Sequence, residues 1–233
     1  MAVAQPFTDP YFSRGDMTDY AAARTAMVDR QVRPSDVTSF PIIDAMLWAP
    51  RERFAPAAQK DVAYADAPLA LGGGRETLEP RTFAKMLDGA RIGPDDLVLD
   101  IAPGLGYSTA VIARMAAAVI AIEPDETMAA QASDTLSALE VDNALVRAGD
   151  PVAGDPDHGP FDAIFINGAV GSAPATLLDQ LKEGGRLVAI RHAEEGPRAV
   201  AYVKSASGVG ERRLFDASAA YAPGFEPAGE FVF

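Results

Sequence analysis

Two carboxylates and a pair of glycines are spaced as a nucleoside site needs them. Asp100 follows the apolar run Leu97-Val98-Leu99. Ile101-Ala102-Pro103-Gly104-Leu105-Gly106 then reads as a tight turn opening into a helix at Tyr107-Ser108-Thr109. A side chain at Gly104 or Gly106 would crowd a ligand approaching the backbone. The helix start offers unpaired N–H groups with partial positive charge. Glu123 closes a second apolar run, Ala118-Val119-Ile120-Ala121-Ile122, and Pro124 follows it. A carboxylate at the tip of the second strand of such a unit can accept from both hydroxyls of a ribose. Gly149-Asp150 follows a third run, where the carboxylate can accept from an adenine amino group or cap its own loop; both readings stand. The third position of a dinucleotide fingerprint is Thr109 rather than glycine, which disfavours a nicotinamide cofactor. Three carboxylates on one sheet edge suit hydroxyl groups and a sulfonium cation better than a phosphate. The nucleoside expected is therefore S-adenosylmethionine (SAM).

Such side chains sit at the carboxyl ends of parallel strands. From residue 97 onward, short apolar runs alternate with helical patterns, the signature of a parallel sheet buried on both faces. Strands are expected at Leu97–Ile101, 119–122, 144–147, 163–167 and 186–190. Helices are expected near 108–116, 126–139 and 175–182, the last with Ser172 near its start and Gly184-Gly185 after its end. A hairpin of 199–204 with 211–215 closes the sheet edge, and 230–233 forms a last short strand. Upstream, Thr18 or Asp19 caps a helix over 20–28 that ends before Pro34. A second helix spans Phe40–Trp48, with Pro41 in its first turn and Ile42, Met46, Ile43 and Leu47 on its buried stripe. A third spans 80–87. Residues 51–74, rich in Pro, Ala and Gly, read as loop, and 1–16 as a mobile extension.

Composition narrows the partners. The chain has 233 residues, which suits one large domain or a domain with a small appendage, and 48% hydrophobic with 23% charged residues is an ordinary globular composition. A net charge of −13 argues against nucleic acid or an anionic membrane as partner. There is no cysteine, hence no disulfide or thiolate chemistry. The longest apolar run, 115–122, is too short to cross a bilayer, and no signal-peptide pattern opens the chain, so the cytoplasm is expected. His158, in a turn, and His192, after the fifth strand, read as surface residues and make no metal site. No nucleophile elbow is present, and Trp48 reads as core.

Four blocks resemble the protein-L-isoaspartate O-methyltransferase family, across most of residues 25–215. They are Met27-Val28-Asp29-Arg30-Gln31-Val32 with Ile43-Asp44-Ala45-Met46 and Pro50-Arg51-Glu52-Arg53-Phe54; Ala63-Tyr64-Ala65-Asp66-Ala67-Pro68-Leu69; residues 98–107; and Pro160-Phe161-Asp162-Ala163-Ile164 with residues 181–188. The resemblance implies an α/β, Rossmann-like class I SAM-dependent methyltransferase, with a mostly parallel twisted sheet and helices on both faces. It implies an N-terminal helical and substrate-loop region at 17–90, a SAM-binding domain at 91–222 and a tail at 223–233. It also implies methyl transfer to a carboxylate oxygen of isoaspartyl residues in damaged proteins.

Carried over by position, Asp100, Ala102, Gly104, Gly106 and Tyr107 line the methionine end of SAM. Glu123 and Pro124 lie at the ribose, and Gly149 and Asp150 beside the adenine. This chain has Ala102 where the family's motif has glycine. Aligned on Gly72 and Pro80, Leu78 takes the place of the family's loop serine, with Thr77 as the neighbouring hydroxyl. Glu76 and Glu79 bring negative charge to that loop, which Arg75, Arg81 or a proton must offset. A different methyl acceptor on the same fold, or a SAM-binding module without turnover, are the alternatives.

Overall fold

The computed structural model describes residues 19–227; the extension and the strand expected at 230–233 fall outside them. Asp19 caps α1 (Tyr20–Met27), accepting from the Ala22 N–H at 3.0 Å. The helical path does not end near Val28. It widens into a π turn, Val28–Val32, then tightens into a 3-10 turn, Arg33–Ser35. Pro34 fits the first turn of that 3-10 segment, where its missing N–H is not needed. Helix α2 (Phe40–Trp48) buries Ile42, Ile43, Ala45 and Met46. Leu47 and Trp48 are only half-buried: both pack against the core from its rim, and the Arg114 guanidinium lies 5.2 Å from the Trp48 ring centre.

Residues 51–74 are not one loop. They form 3-10 turns at Arg51–Phe54 and Ala57–Val62, preceded by Pro50 and Pro56. A small antiparallel hairpin follows, β1 (Ala70–Gly72) with β2 (Arg75–Glu76). Helix α3 (Pro80–Ala90) runs one turn past the expected end and stops where Arg91 turns left-handed at φ 50°.

The main sheet comprises β3 (Leu97–Ile101), β4 (Ala118–Glu123), β5 (Ala144–Ala148), β6 (Phe161–Val170), β7 (Leu181–Arg191), β8 (Arg198–Ser205) and β9 (Gly208–Asp216). Their order is β5-β4-β3-β6-β7-β8-β9; the first five are parallel and the last two antiparallel. Helices α4 (Tyr107–Ala113), α5 (Glu126–Ser137) and α6 (Ala175–Asp179) cross between strands. Helix α6 is shorter than expected because Leu181 already pairs with Phe161 in β7. Gly184 and Gly185 accordingly sit inside β7, at a register shift, instead of ending a helix. Ser172 does not cap α6; Pro174 precedes it without a side-chain cap.

Alternate strand residues fill two cores. Val98, Phe165 and Val188 meet Met27, Met46, Phe83 and Leu87 from the helices of one face. Leu99, Ile101, Ile166 and Leu187 meet Leu177 on the other. Strand β9 is outermost and mostly exposed, carrying Glu211, Arg212 and Arg213. Among the described residues, no helix is long and apolar enough to cross a membrane.

Candidate functional site

The turn after β3 needs left-handed backbone at three positions: Ala102 (φ 55°), Gly104 (φ 60°) and Gly106 (φ 94°). Alanine pays roughly 1–2 kcal/mol for that conformation; the Ala102 N–H bond to the Ile122 carbonyl, 2.8 Å, helps hold it. A Cβ at Gly106 would stand 2.9 Å from that of Ala132, so the turn is packed directly on α5.

Asp100 braces the turn from behind. It is fully buried, and one oxygen accepts from Ser108 Oγ at 2.8 Å and Thr109 Oγ1 at 2.7 Å. The other accepts from Asn167 Nδ2 at 2.7 Å. Strand β3, the first turn of α4 and β6 are tied through one carboxylate. Burial pushes its pKa up to about 6, against the opposing pull of these hydrogen bonds. The folded state therefore binds more protons than the unfolded chain between pH 3.8 and 6. The stability due to this group is full below that window and is lost as pH rises through 6. In Asp100→Asn the amide can donate to the two hydroxyl oxygens instead, so the shape survives without the titration. Urea unfolding should show wild type gaining up to about 3 kcal/mol on the variant between pH 7 and pH 4, while parallel curves would count against the raised pKa.

Glu123, also fully buried, ends β4 and receives four donors. Oε1 accepts from Arg75 Nη1 at 2.6 Å and the Asp125 N–H at 3.1 Å. Oε2 accepts from Arg75 Nη2 at 2.8 Å and the Gly104 N–H at 2.7 Å. Arg75 thus pairs with Glu123 rather than offsetting the loop glutamates. Those have other partners: Glu76 accepts from the Ala220 N–H at 3.1 Å, and Glu79 from Thr82 Oγ1 at 3.3 Å and from Arg81. Pro124 is half-buried beside the carboxylate. The Gly149 N–H reaches the Glu123 carbonyl at 3.1 Å. Asp150 is exposed and accepts from the Val152 N–H at 2.9 Å, so in this conformation its carboxylate caps its own loop.

Facing the turn lies Arg51, fully buried at the head of its 3-10 turn. Its Nε donates to the Ala63 carbonyl at 2.8 Å. Its Nη2 donates to Thr77 Oγ1 at 3.1 Å and the Leu78 carbonyl at 3.0 Å. Its guanidinium stacks over Tyr107, 4.6 Å from the ring centre. Thr77 Oγ1 also accepts from the Leu69 N–H at 2.9 Å, which leaves its own proton to donate. Arg51, Glu76, Thr77, Ala102, Tyr107 and Asn167 line a narrow crevice of about 20 Å³ between the β1–β2 hairpin and the glycine turn. Leu78 is buried against the core and also lines the crevice, but it offers no side-chain hydrogen bond. Tyr107 is mainly a packing residue, its ring against Phe83 at 5.5 Å and Phe54 at 6.0 Å.

The sequence does not by itself set Arg51 and Asn167 beside the turn, and it points Arg75 at the loop glutamates where the structure pairs it with Glu123. Asn167 carried a signal, a polar residue at the carboxyl end of a buried strand. Arg51, in the run Pro50-Arg51-Glu52-Arg53-Phe54, carries no such local signal. His192 is not a freely exposed surface residue but half-buried: it packs on Tyr221, ring centres 4.6 Å apart, with Nε2 buried. His158 is half-exposed and bonds to Asp155 at 3.0 Å.

The model of the family described as protein-L-isoaspartate(D-aspartate) O-methyltransferase matches residues 22–216. The chain belongs to that family. A protein-L-isoaspartate O-methyltransferase of Synechococcus sp. is 40% identical over 169 residues, 72% of this chain and 69% of that protein. One from Methylorubrum extorquens is 41% identical over 170 residues, 73% of this chain and 74% of the other. A Plasmodium falciparum structure assigned to the same family, in complex with S-adenosyl-L-homocysteine, matches at a TM-score of 0.73 with 20% identity, over 85% of this chain and 97% of that one. The shared fold is the Rossmann-like methyltransferase fold, and the protein-L-isoaspartate O-methyltransferases are SAM-dependent enzymes. The chain's own residues fit that cofactor in kind: a carboxylate at the tip of β4, beside a turn in which Gly104 and Gly106 add no side chain of their own.

The blocks that mark the family interlock in space. Gln31 Nε2 donates to the Tyr64 carbonyl at 2.9 Å, the Tyr64 hydroxyl donates to Glu52, and Arg51 holds Ala63. Their shared product is the position of Thr77 and Leu78 beside the glycine turn.

Proposed function

We propose that this protein methylates a carboxylate oxygen of isoaspartyl residues in proteins or peptides, with SAM as the methyl donor, in the cytoplasm. The observation that carries this reading is the pairing of Arg51 and Thr77 on the wall of a crevice that adjoins the glycine turn. When bound, SAM supplies an electrophilic methyl group. An ionised carboxylate is already a nucleophile, so the protein needs no strong base; it must align one oxygen and exclude water. The Thr77 hydroxyl has a free proton to give the carboxylate oxygen that does not react. Arg51 holds that hydroxyl and contributes positive charge from behind it. Glu123, Gly104 and Gly106 are the residues we assign to the cofactor, with Pro124, Gly149 and Asp150 at its nucleoside end. Asp100 acts by bracing the turn.

The direct test is methyl transfer from labelled SAM to an isoaspartyl peptide, with its aspartyl twin as control. Base-labile label on the isoaspartyl peptide alone supports the reading; no label in a sample that binds SAM sinks it. Thr77→Val keeps the shape and removes the hydroxyl. We expect kcat/KM to fall roughly 10²-fold, with SAM affinity unchanged and a stability cost of about 1 kcal/mol.

A further inference from the structure

We infer that Arg75 is an internal competitor for the ribose-binding carboxylate, carried on a hairpin that must lift before the cofactor binds. This rests on the assignment of Glu123 to the ribose. A carboxylate has about four acceptor positions. All four on Glu123 are taken: two by the Arg75 guanidinium, at 2.6 and 2.8 Å, and one each by the Gly104 and Asp125 N–H groups. The two backbone donors belong to the glycine turn and to the start of α5, outside the hairpin, and stay. A ribose diol needs two acceptor places, and only Arg75 can release them.

The hairpin also covers the turn itself. A Cβ on Gly104 would lie 2.7 Å from Leu71 Cδ1, so the Leu71 side chain rests on the bare backbone that a ligand would approach. Removal of both blocks is one movement, because Leu71 and Arg75 flank the same hairpin tip.

The tip is built to move. Gly72, Gly73 and Gly74 all have positive φ, and nothing stands within 4 Å of where their Cβ atoms would be. The two strands are three and two residues long, and their pairing shifts register. The roots are fixed: Ala70 exchanges two hydrogen bonds with the Gln59 side chain, at 2.7 and 3.0 Å, and Thr77 bonds to Leu69 and Arg51. Between them, besides Leu71, the described side-chain ties are Arg75 to Glu123 and, at 3.6 Å, to Met128 Sδ, and Glu76 to the Ala220 N–H. The Arg75 side chain keeps 15% exposure while Glu123 has none, so the guanidinium has a path to water and the carboxylate does not.

Apparent affinity is the intrinsic affinity scaled by the fraction of molecules whose hairpin is open, so it rises as that fraction rises. Calorimetric titration with S-adenosylhomocysteine on the full chain tests this, using wild type, Arg75→Lys and Arg75→Ala. We expect Arg75→Ala to bind about tenfold or more tightly than wild type. Arg75→Lys, which keeps the charge without the bidentate fork, should fall between them. Ligand-free Arg75→Ala should melt at a lower temperature than wild type yet gain more from the ligand, a pattern that a merely structural arginine does not produce. Binding by Arg75→Ala that equals or falls below wild type overturns the competitor and leaves the cofactor assignment standing. No binding by any of the three, in samples with native circular dichroism, overturns both.

Discussion

Glu123→Ala should bind SAM roughly 10²- to 10⁴-fold more weakly once Arg75 is also alanine, the loss expected for two hydrogen bonds to a charged acceptor. With Arg75 in place the measured loss should be smaller, because the wild-type carboxylate is already contested. The same substitution has a separate effect on the fold. It leaves the guanidinium without its anion and the Gly104 and Asp125 N–H groups without an acceptor. Breaking a buried pair from one side costs about 3–5 kcal/mol; the swing of Arg75 into water should hold the figure near the lower end. Denaturant unfolding and calorimetry separate the two effects. Removing Arg75 as well should restore part of the stability and none of the affinity. Unchanged affinity in the double variant would remove Glu123 from the cofactor site.

Arg51→Met should all but abolish methyl transfer. Methionine fills a similar volume but donates nothing, so the Ala63 and Leu78 carbonyls lose a buried partner and Thr77 Oγ1 loses one of two. Unsatisfied buried groups cost about 1–3 kcal/mol each, and we expect about 2–4 kcal/mol in total because the Tyr107 ring still has an apolar neighbour. A misplacement of Thr77 by about 1 Å is worth about 10²-fold in rate, and loss of the positive charge adds to it. SAM affinity should change little, since Arg51 reaches none of the groups assigned to the cofactor. A variant that unfolds at room temperature is replaced by Arg51→Lys, which keeps the charge and should lose rate with less stability. Full activity in either would overturn the role of this side chain.

How much of this was legible in the chain depended on where the decisive contacts lie. The parallel strands were readable because buried strands are continuous apolar runs, and β3 falls on its expected residues. The placement of Glu123 at a strand tip and of Gly104 and Gly106 in a tight turn was readable because both leave local signatures. The ends of α6 and β7 were not: Leu181 to Lys182 is compatible with a helix until Phe161, some twenty residues earlier, offers a strand to pair with. The hairpin in 70–76 was hidden by its glycines, which mark a turn without saying what flanks it. The partners of Arg51 and Arg75 were hidden for one reason: each acts on groups 12 to 48 residues away, and an arginine's own neighbours, such as Glu76 beside Arg75, do not reveal its partner. Thr77 and Leu78 were both named, but only the Arg51 and Leu69 bonds distinguish the engaged hydroxyl from the buried leucine.

An open sheet always ends in strands with unpaired backbone groups, and β9 is such an end here. A protein whose substrates are aged polypeptides meets sticky, partly unfolded segments in ordinary service. A bare outer strand would template them into added strands and remove the enzyme with its clients. The run Glu211-Arg212-Arg213 makes that edge costly to extend, since a segment pairing there would have to desolvate charges of both signs. Damaged chains can then be handled at the crevice without being captured along the side.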